Sequence, residues 1–228
     1  MNGLLSKILT VDTSDPSRWQ EHDAEVEAFE KKEAAENKQK RYEESTPRRY
    51  WNESLDTYKT DTPEQAKALA LVRRYVEKIK GGDAGNLALI GRAGAGKTHL
   101  SCGALRECGG KYYAASELAE RMHRAHGFST KETEAEILAE CTDCPLLVID
   151  EIGRGANAQD EKYAIYQIMN ERYNERRGTV LISNFDTNTF YNYIGDAVVD
   201  RFIECGYVFE FKTTQSYRQQ LRNKGGIL

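Results

Sequence analysis

From residue 86 onward the chain alternates short, continuously apolar runs with longer amphipathic ones. NLALI (86–90), KYYAA (111–115), PLLVID (145–150), TVLISN (179–184) and YVFEF (207–211) read as five strands. Between them the spacing predicts helices over Lys97 to about Cys108, over ELAERMHRA behind a capping Ser116, over roughly 131–141, over roughly 159–177 up to Gly178, and around 196–203. Strands without polar alternation, each separated from the next by a helix, specify a parallel sheet covered on both faces. Upstream, Thr62-Pro63-Glu64-Gln65 is a capping box with proline at the first helical position. Leu69, Val72, Val76 and Ile79 give that helix its buried stripe, and Gly81-Gly82 end it.

Residues 1–56 follow another pattern. They hold no Val/Ile-rich strand and no glycine after Gly3. Asp15-Pro16 reads as an N-cap with a first-turn proline, and Trp19, Val26 and Phe29 form a thin apolar stripe along a long, highly charged helix. Such a helix cannot build a core. Leu4, Leu5, Ile8 and Leu9 add a small apolar face at its tip, suited to docking on a partner. Thr46-Pro47 marks the linker. The expected organisation is therefore an N-terminal helical arm over 1–56 and an α/β domain over 57–228.

Composition narrows the class. With 30% charged residues against 39% hydrophobic, no apolar run long enough for a membrane span and no leader-like start, the chain reads as cytoplasmic, with no membrane partner. A net charge of −4 argues against a generally basic nucleic-acid binder and leaves room only for a local basic groove. Five cysteines without framework spacing fit a reducing compartment. Cys141-x-x-Cys144 lacks a second ligand pair and leads straight into an apolar strand, so it reads as core. His123 and His126 lack a third ligand, so they do not read as a metal site.

The stretch GRAGAGKTHL, Gly91 to Leu100, fits G-x-x-x-x-G-K-[ST]. A strand runs into it and a helix follows, which is the context this pattern requires. Backbone N–H groups of Gly91, Arg92, Ala93, Gly94, Ala95, Gly96, Lys97, Thr98 and His99 are then expected around the phosphates of ATP. Lys97 is expected on the β and γ phosphates and Thr98 on Mg²⁺. LLVIDE (146–151) ends an apolar strand in two acids: Asp150 for Mg²⁺ through water, Glu151 to orient and deprotonate an attacking water. A water-activating Glu151 points to hydrolysis. It argues against a small-molecule kinase, which would also need an arginine-bearing lid.

GNLALIGRAGAGKTHL, LLVIDEIG, GTVLISNF, VVDRF and SYRQ, in this order and spacing, resemble the DnaC-type replicative helicase loaders and the related IstB-type transposition ATPases over about residues 46 to 222. The resemblance implies an AAA+ core and an ATPase that turns over slowly alone. About 17 residues follow the last strand, too few for a helical lid domain, as in the loader group. It implies Asn184 as the polar sensor beside the γ-phosphate, Arg201 as an arginine finger acting on a neighbour's ATP, and Arg218 as a second sensor in cis. It further implies a DnaB-type replicative helicase as partner, single-stranded DNA as ligand, and self-association through the ATP site. Some loaders carry an N-terminal zinc domain. Here residues 1–60 hold no cysteine and only His22, so no zinc site is expected there and the arm is left for docking. Arg121, Arg124 and Lys131, near Tyr112 and Tyr113, offer charge and stacking for DNA. The transposition reading differs mainly in partner and in a preference for duplex DNA.

Overall fold

The computed structural model describes residues 16–83, 85–127 and 132–212. Expectations for Leu4, Leu5, Ile8, Leu9, the Asp15 cap, Lys131 and Arg218, and for the side chain of Trp19, fall outside what is described. The elements run α1 (Pro16–Ser45), a 3-10 turn (Arg48–Tyr50), α2 (Pro63–Lys80), β1 (Asn86–Gly91), α3 (Lys97–Cys108), β2 (Gly110–Ala114), α4 (Ala115–Ala125), α5 (Glu134–Thr142), β3 (Leu146–Ile152), α6 (Ala158–Asn174), β4 (Gly178–Ser183), α7 (Thr187–Ile194), α8 (Asp196–Cys205) and β5 (Gly206–Phe211).

The chain divides between Arg41 and Tyr42 into two compact units. The first, described from Pro16, is the charged part of α1. Of its apolar stripe, Phe29 is 46% exposed and Val26 half-buried. Charge all round the helix leaves no face to bury, and exposed i,i+4 pairs such as Lys31–Glu27 (2.7 Å) support it only slightly.

The second unit is built on a five-stranded sheet ordered β2-β3-β4-β1-β5, with every neighbouring pair parallel. β1 and β4 are buried along their whole length. Their side chains alternate between two cores, as the two-residue period of a strand demands. Ala88 and Ile90 join the cluster under α4 to α8; Leu87 and Leu89 join the one under α2 and α3. Tyr42, Leu55 and Tyr58 belong to the second cluster, so the chain is part of this unit well before residue 57.

Thr62 caps α2 in a full capping box with Gln65, with Pro63 at the first helical position. Three expectations are corrected. Ser116 caps nothing: β2 passes straight into α4 at Ala114, and Ser116 sits inside the first turn. α5 begins at Glu134, because Thr133 and Glu136 form their own capping box. α6 ends at Asn174, and Gly178 opens β4 instead of closing the helix. α7 was not anticipated from the sequence; Asp186 caps it by accepting from the Thr189 N–H.

At the edge of the sheet where β3 and β4 begin, Arg172 of α6 is fully buried, and no carboxylate among the described residues pairs with it. It donates to Thr179 Oγ1 (2.9 Å), to the Cys144 carbonyl (3.1 Å), and to the carbonyls of Cys141 and Gly178. One guanidinium thus satisfies the end of α5, the entry to β3 and the start of β4. Arg172→Met keeps much of the volume and strips more than one buried acceptor of its donor, at roughly 1–3 kcal/mol each. Urea unfolding is expected to show a loss of at least about 3 kcal/mol. A loss below about 1 kcal/mol would mean that water takes over these carbonyls.

Candidate functional site

Sheet order decides what can meet. β4 lies between β1 and β3, so the loops leaving the carboxyl ends of these strands gather at one edge, where ligands of open α/β sheets bind. After β1 the chain turns through Gly91, Gly94 and Gly96 at φ of 99°, 79° and 94° and enters α3. The left-handed backbone turns successive N–H groups inward, and the amino end of α3 adds its dipole. The result is a cleft of about 330 Å³.

Lys97 is almost wholly buried at the floor. Its ammonium donates to the Gly91 carbonyl (2.7 Å), the Arg92 carbonyl (2.8 Å) and Asn184 Oδ1 (2.9 Å). Burial pushes this ammonium down to about 8, against the pull of the Asp150 charge. Thr98 Oγ1 donates to Asp150 Oδ2 (2.7 Å). Asp150, itself buried, also accepts from the Tyr112 hydroxyl (3.0 Å) and the Glu151 N–H (2.6 Å). A hydroxyl and a carboxylate in contact form a hard-oxygen pair of the kind a small divalent cation takes. Beside them β3 shifts register between Ile149 and Ile152, and Glu151 stands at φ 60°, unusual for a residue with a side chain. Glu151 is exposed and faces Arg154 across 3.6 Å.

The segment ahead of α2 closes one side. The Tyr58 hydroxyl donates to the Ala95 carbonyl (3.0 Å), and a Cβ on Gly96 would come within 2.5 Å of the Tyr58 ring. That position is closed to any side chain both by its φ and by its neighbour. His99 Nε2 contacts the Ser54 carbonyl (2.8 Å), and its Nδ1 lies 3.1 Å from Glu53. Arg49, Tyr50 and Thr57 line the same cleft. None of these carries a motif, so nothing in the local sequence flags them. Arg154, within the loop that follows Glu151, was also missed.

Ala93, Gly94, Ala95, Gly96, Lys97, Thr98, His99, Asp150, Glu151 and Asn184 all line the cleft. Gly91 and Arg92 lie behind it: their carbonyls hold Lys97, and the Arg92 N–H donates to the Phe211 carbonyl (3.2 Å). The His99 side chain is spent on Glu53 and Ser54. Arg201 does not line the cleft. It folds onto α6, donating to Asn170 beside the rings of Tyr166 and Tyr173. Arg121 is committed to Glu132 and Glu140, Tyr113 to Glu140, and Tyr112 to Asp150, which removes them from an open DNA-stacking patch. Cys141 and Cys144 are core residues. His123 pairs with Asp160 and His126 with Glu134.

This fold and this cleft define a P-loop ATPase of the AAA+ class. The family model for IstB-like ATP binding proteins matches residues 27–225. The replicative helicase loader DnaC of Buchnera aphidicola subsp. Schizaphis graminum is 33% identical over 178 residues, covering 76% of this chain and 72% of the relative. The crystal structure of the DnaC helicase loader superposes with a TM-score of 0.64 at 24% identity, over 73% of this chain and all of that one. The replication initiator DnaA bound to AMPPCP and single-stranded DNA has the same fold, with a TM-score of 0.61 at 21% identity, over 80% of this chain and 57% of that one. The chain belongs to the IstB-like ATP-binding family that includes the DnaC replicative helicase loaders. It binds nucleotide and is an ATPase. No helix among the described residues is long and apolar enough to cross a membrane.

A bound polyphosphate raises the Lys97 ammonium back toward an ordinary lysine value, so binding takes up protons where the free pocket has begun to lose them. With that ammonium at about 8 in the free cleft, affinity is full below this pH and falls as pH rises through it, by at most about tenfold per unit. Calorimetry at pH 8.5 in buffers of different ionisation heat is expected to show net proton uptake. Zero uptake there would mean that Lys97 stays fully charged in the free chain.

Proposed function

We propose that this chain is an ATP-switched helicase loader, which binds a DnaB-type replicative hexameric helicase and delivers it to single-stranded DNA in the cytoplasm during replication initiation. The observation that carries the reading is the meeting of Lys97, Asp150 and Asn184, from three separate parts of the sequence, in one cleft of a chain 33% identical to a replicative helicase loader. Lys97 grips the β and γ phosphates, and its bond to Asn184 sets that amide beside the terminal phosphate. Thr98 and Asp150 would hold Mg²⁺, which would neutralise phosphate charge. Glu151 orients and deprotonates the attacking water. Arg201, outside its own cleft, serves a neighbouring subunit's nucleotide and stabilises transition-state charge in trans, so turnover follows self-association. Arg218 is assigned to the γ-phosphate in cis by resemblance. The chain ahead of Tyr42 forms the docking arm and the unit from Tyr42 onward, which brings Arg49, Tyr50 and Glu53 to the cleft, the ATPase.

The test is a pull-down from the cell of origin with a non-hydrolysable ATP analogue present, together with turnover measurements. Helicase is expected in the pull-down, and single-stranded DNA with helicase is expected to raise turnover. Capture of a transposase with a preference for duplex DNA would support a transposition ATPase instead. Glu151→Gln is expected to retain ATP and lose turnover. Arg201→Ala is expected to bind ATP normally and lose only the stimulated rate; normal stimulated hydrolysis by that variant would remove the trans assignment.

A further inference from the structure

A buried carboxylate stands behind the loop that follows Glu151. Glu161, in the first turn of α6, is 0% exposed, and no lysine or arginine among the described residues pairs with it. Its partners are three donors: the Gly153 N–H (2.6 Å) and the Tyr193 hydroxyl (2.9 Å) on Oε1, and the Gly155 N–H (3.1 Å) on Oε2. Two N–H groups bracketing one residue are thus held by the two oxygens of a single carboxylate. The residue between them is Arg154.

The geometry leaves this loop little choice. Gly153 sits at φ 85°, where a Cβ would fall 2.2 Å from the Phe185 ring, next to Asn184. A Cβ on Gly155 would fall 2.5 Å from Glu161 Oε2. The Arg154 N–H is bonded back to the Glu151 carbonyl (3.1 Å). With its backbone pinned on both sides, Arg154 lines the nucleotide cleft, its guanidinium 3.6 Å from Glu151 and its side chain 60% exposed. An exposed pair at that distance is weakly held, so a stronger anion displaces the carboxylate. The terminal phosphate of ATP is such an anion, and a guanidinium suits it.

We propose that Arg154 is a cis phosphate-sensing residue set in the cleft by the Glu161 clamp: it holds Glu151 when no terminal phosphate is present and exchanges it for that phosphate when ATP binds, freeing Glu151 for water. Arg154 touches the nucleotide; Glu161 is a positioning residue that acts through Gly153 and Gly155. The inference rests on the cleft being the ATP site.

Affinities of ADP and of a non-hydrolysable ATP analogue, measured on the full chain, test it. Arg154→Ala is expected to weaken the analogue about tenfold, one charge-assisted contact, and to change ADP affinity less than about twofold. Glu161→Gln keeps one acceptor oxygen for two glycine N–H groups. It is expected to lower the analogue-over-ADP preference at least about threefold, and the double variant to lose no more than Arg154→Ala alone. Equal loss for both nucleotides, an unchanged preference in Glu161→Gln, or additive losses in the double variant would overturn the proposal. In Glu161→Gln the ADP affinity itself reports whether the pocket is intact, so a purely structural clamp shows as equal loss. Lys97→Ala separates the two readings: analogue binding undiminished in that variant would remove the ATP site itself and leave the clamp unexplained.

Discussion

β4 is the strand on which the nucleotide edge depends. Placed between β1 and β3, it sets Asn184 beside the loop leaving β1, where the amide meets Lys97. One strand further, β3 delivers Asp150 to Thr98. With β4 elsewhere, the lysine and the carboxylate would face different neighbours. Arg172 secures this placement from the opposite edge of the sheet. It ties the first residues of β4 to the chain entering β3, and it does so inside the protein, where its carbonyl partners could not otherwise find donors.

The site that results is organised before anything binds. Lys97 is held by three acceptors, Asp150 by three donors and Glu161 by three more. Fixed dipoles of this kind act on developing charge without having to reorient first. Glu151 is the exception. It is exposed, at a left-handed backbone position, and weakly paired, so it is the group with freedom to move.

Much of this was legible in the chain. Apolar runs fixed the five strands to within about two residues, because parallel strands buried on both faces need no polar alternation. The P-loop and the Asp150-Glu151 pair announced themselves, since phosphate chemistry restricts both residue type and spacing. Arg154, Glu161, Tyr58 and Arg172 were not legible. Each acts through a partner distant in sequence, and a lone Arg, Glu or Tyr inside a charged chain carries no local mark. α7 is hard to read from the sequence although Asp186 and Thr189 give the cap, because eight residues offer only Phe190 and Ile194 as a buried stripe, one i,i+4 pair. Ser116 shows the converse: a serine near a helix start caps it only if the preceding strand stops short of it, and β2 does not.

The sheet order also governs how the molecule reaches its final form. β1 pairs with β4 on one side and β5 on the other, so Asn86 must wait for Thr179 and Gly206. A strand flanked only by segments made much later closes long loops, which slows folding. During synthesis the phosphate loop therefore leaves the ribosome early without the scaffold that gives it shape. The cleft is complete only once the ends of β3 and β4 have joined the loop leaving β1, and nucleotide bound there then favours the completed fold over every partial one.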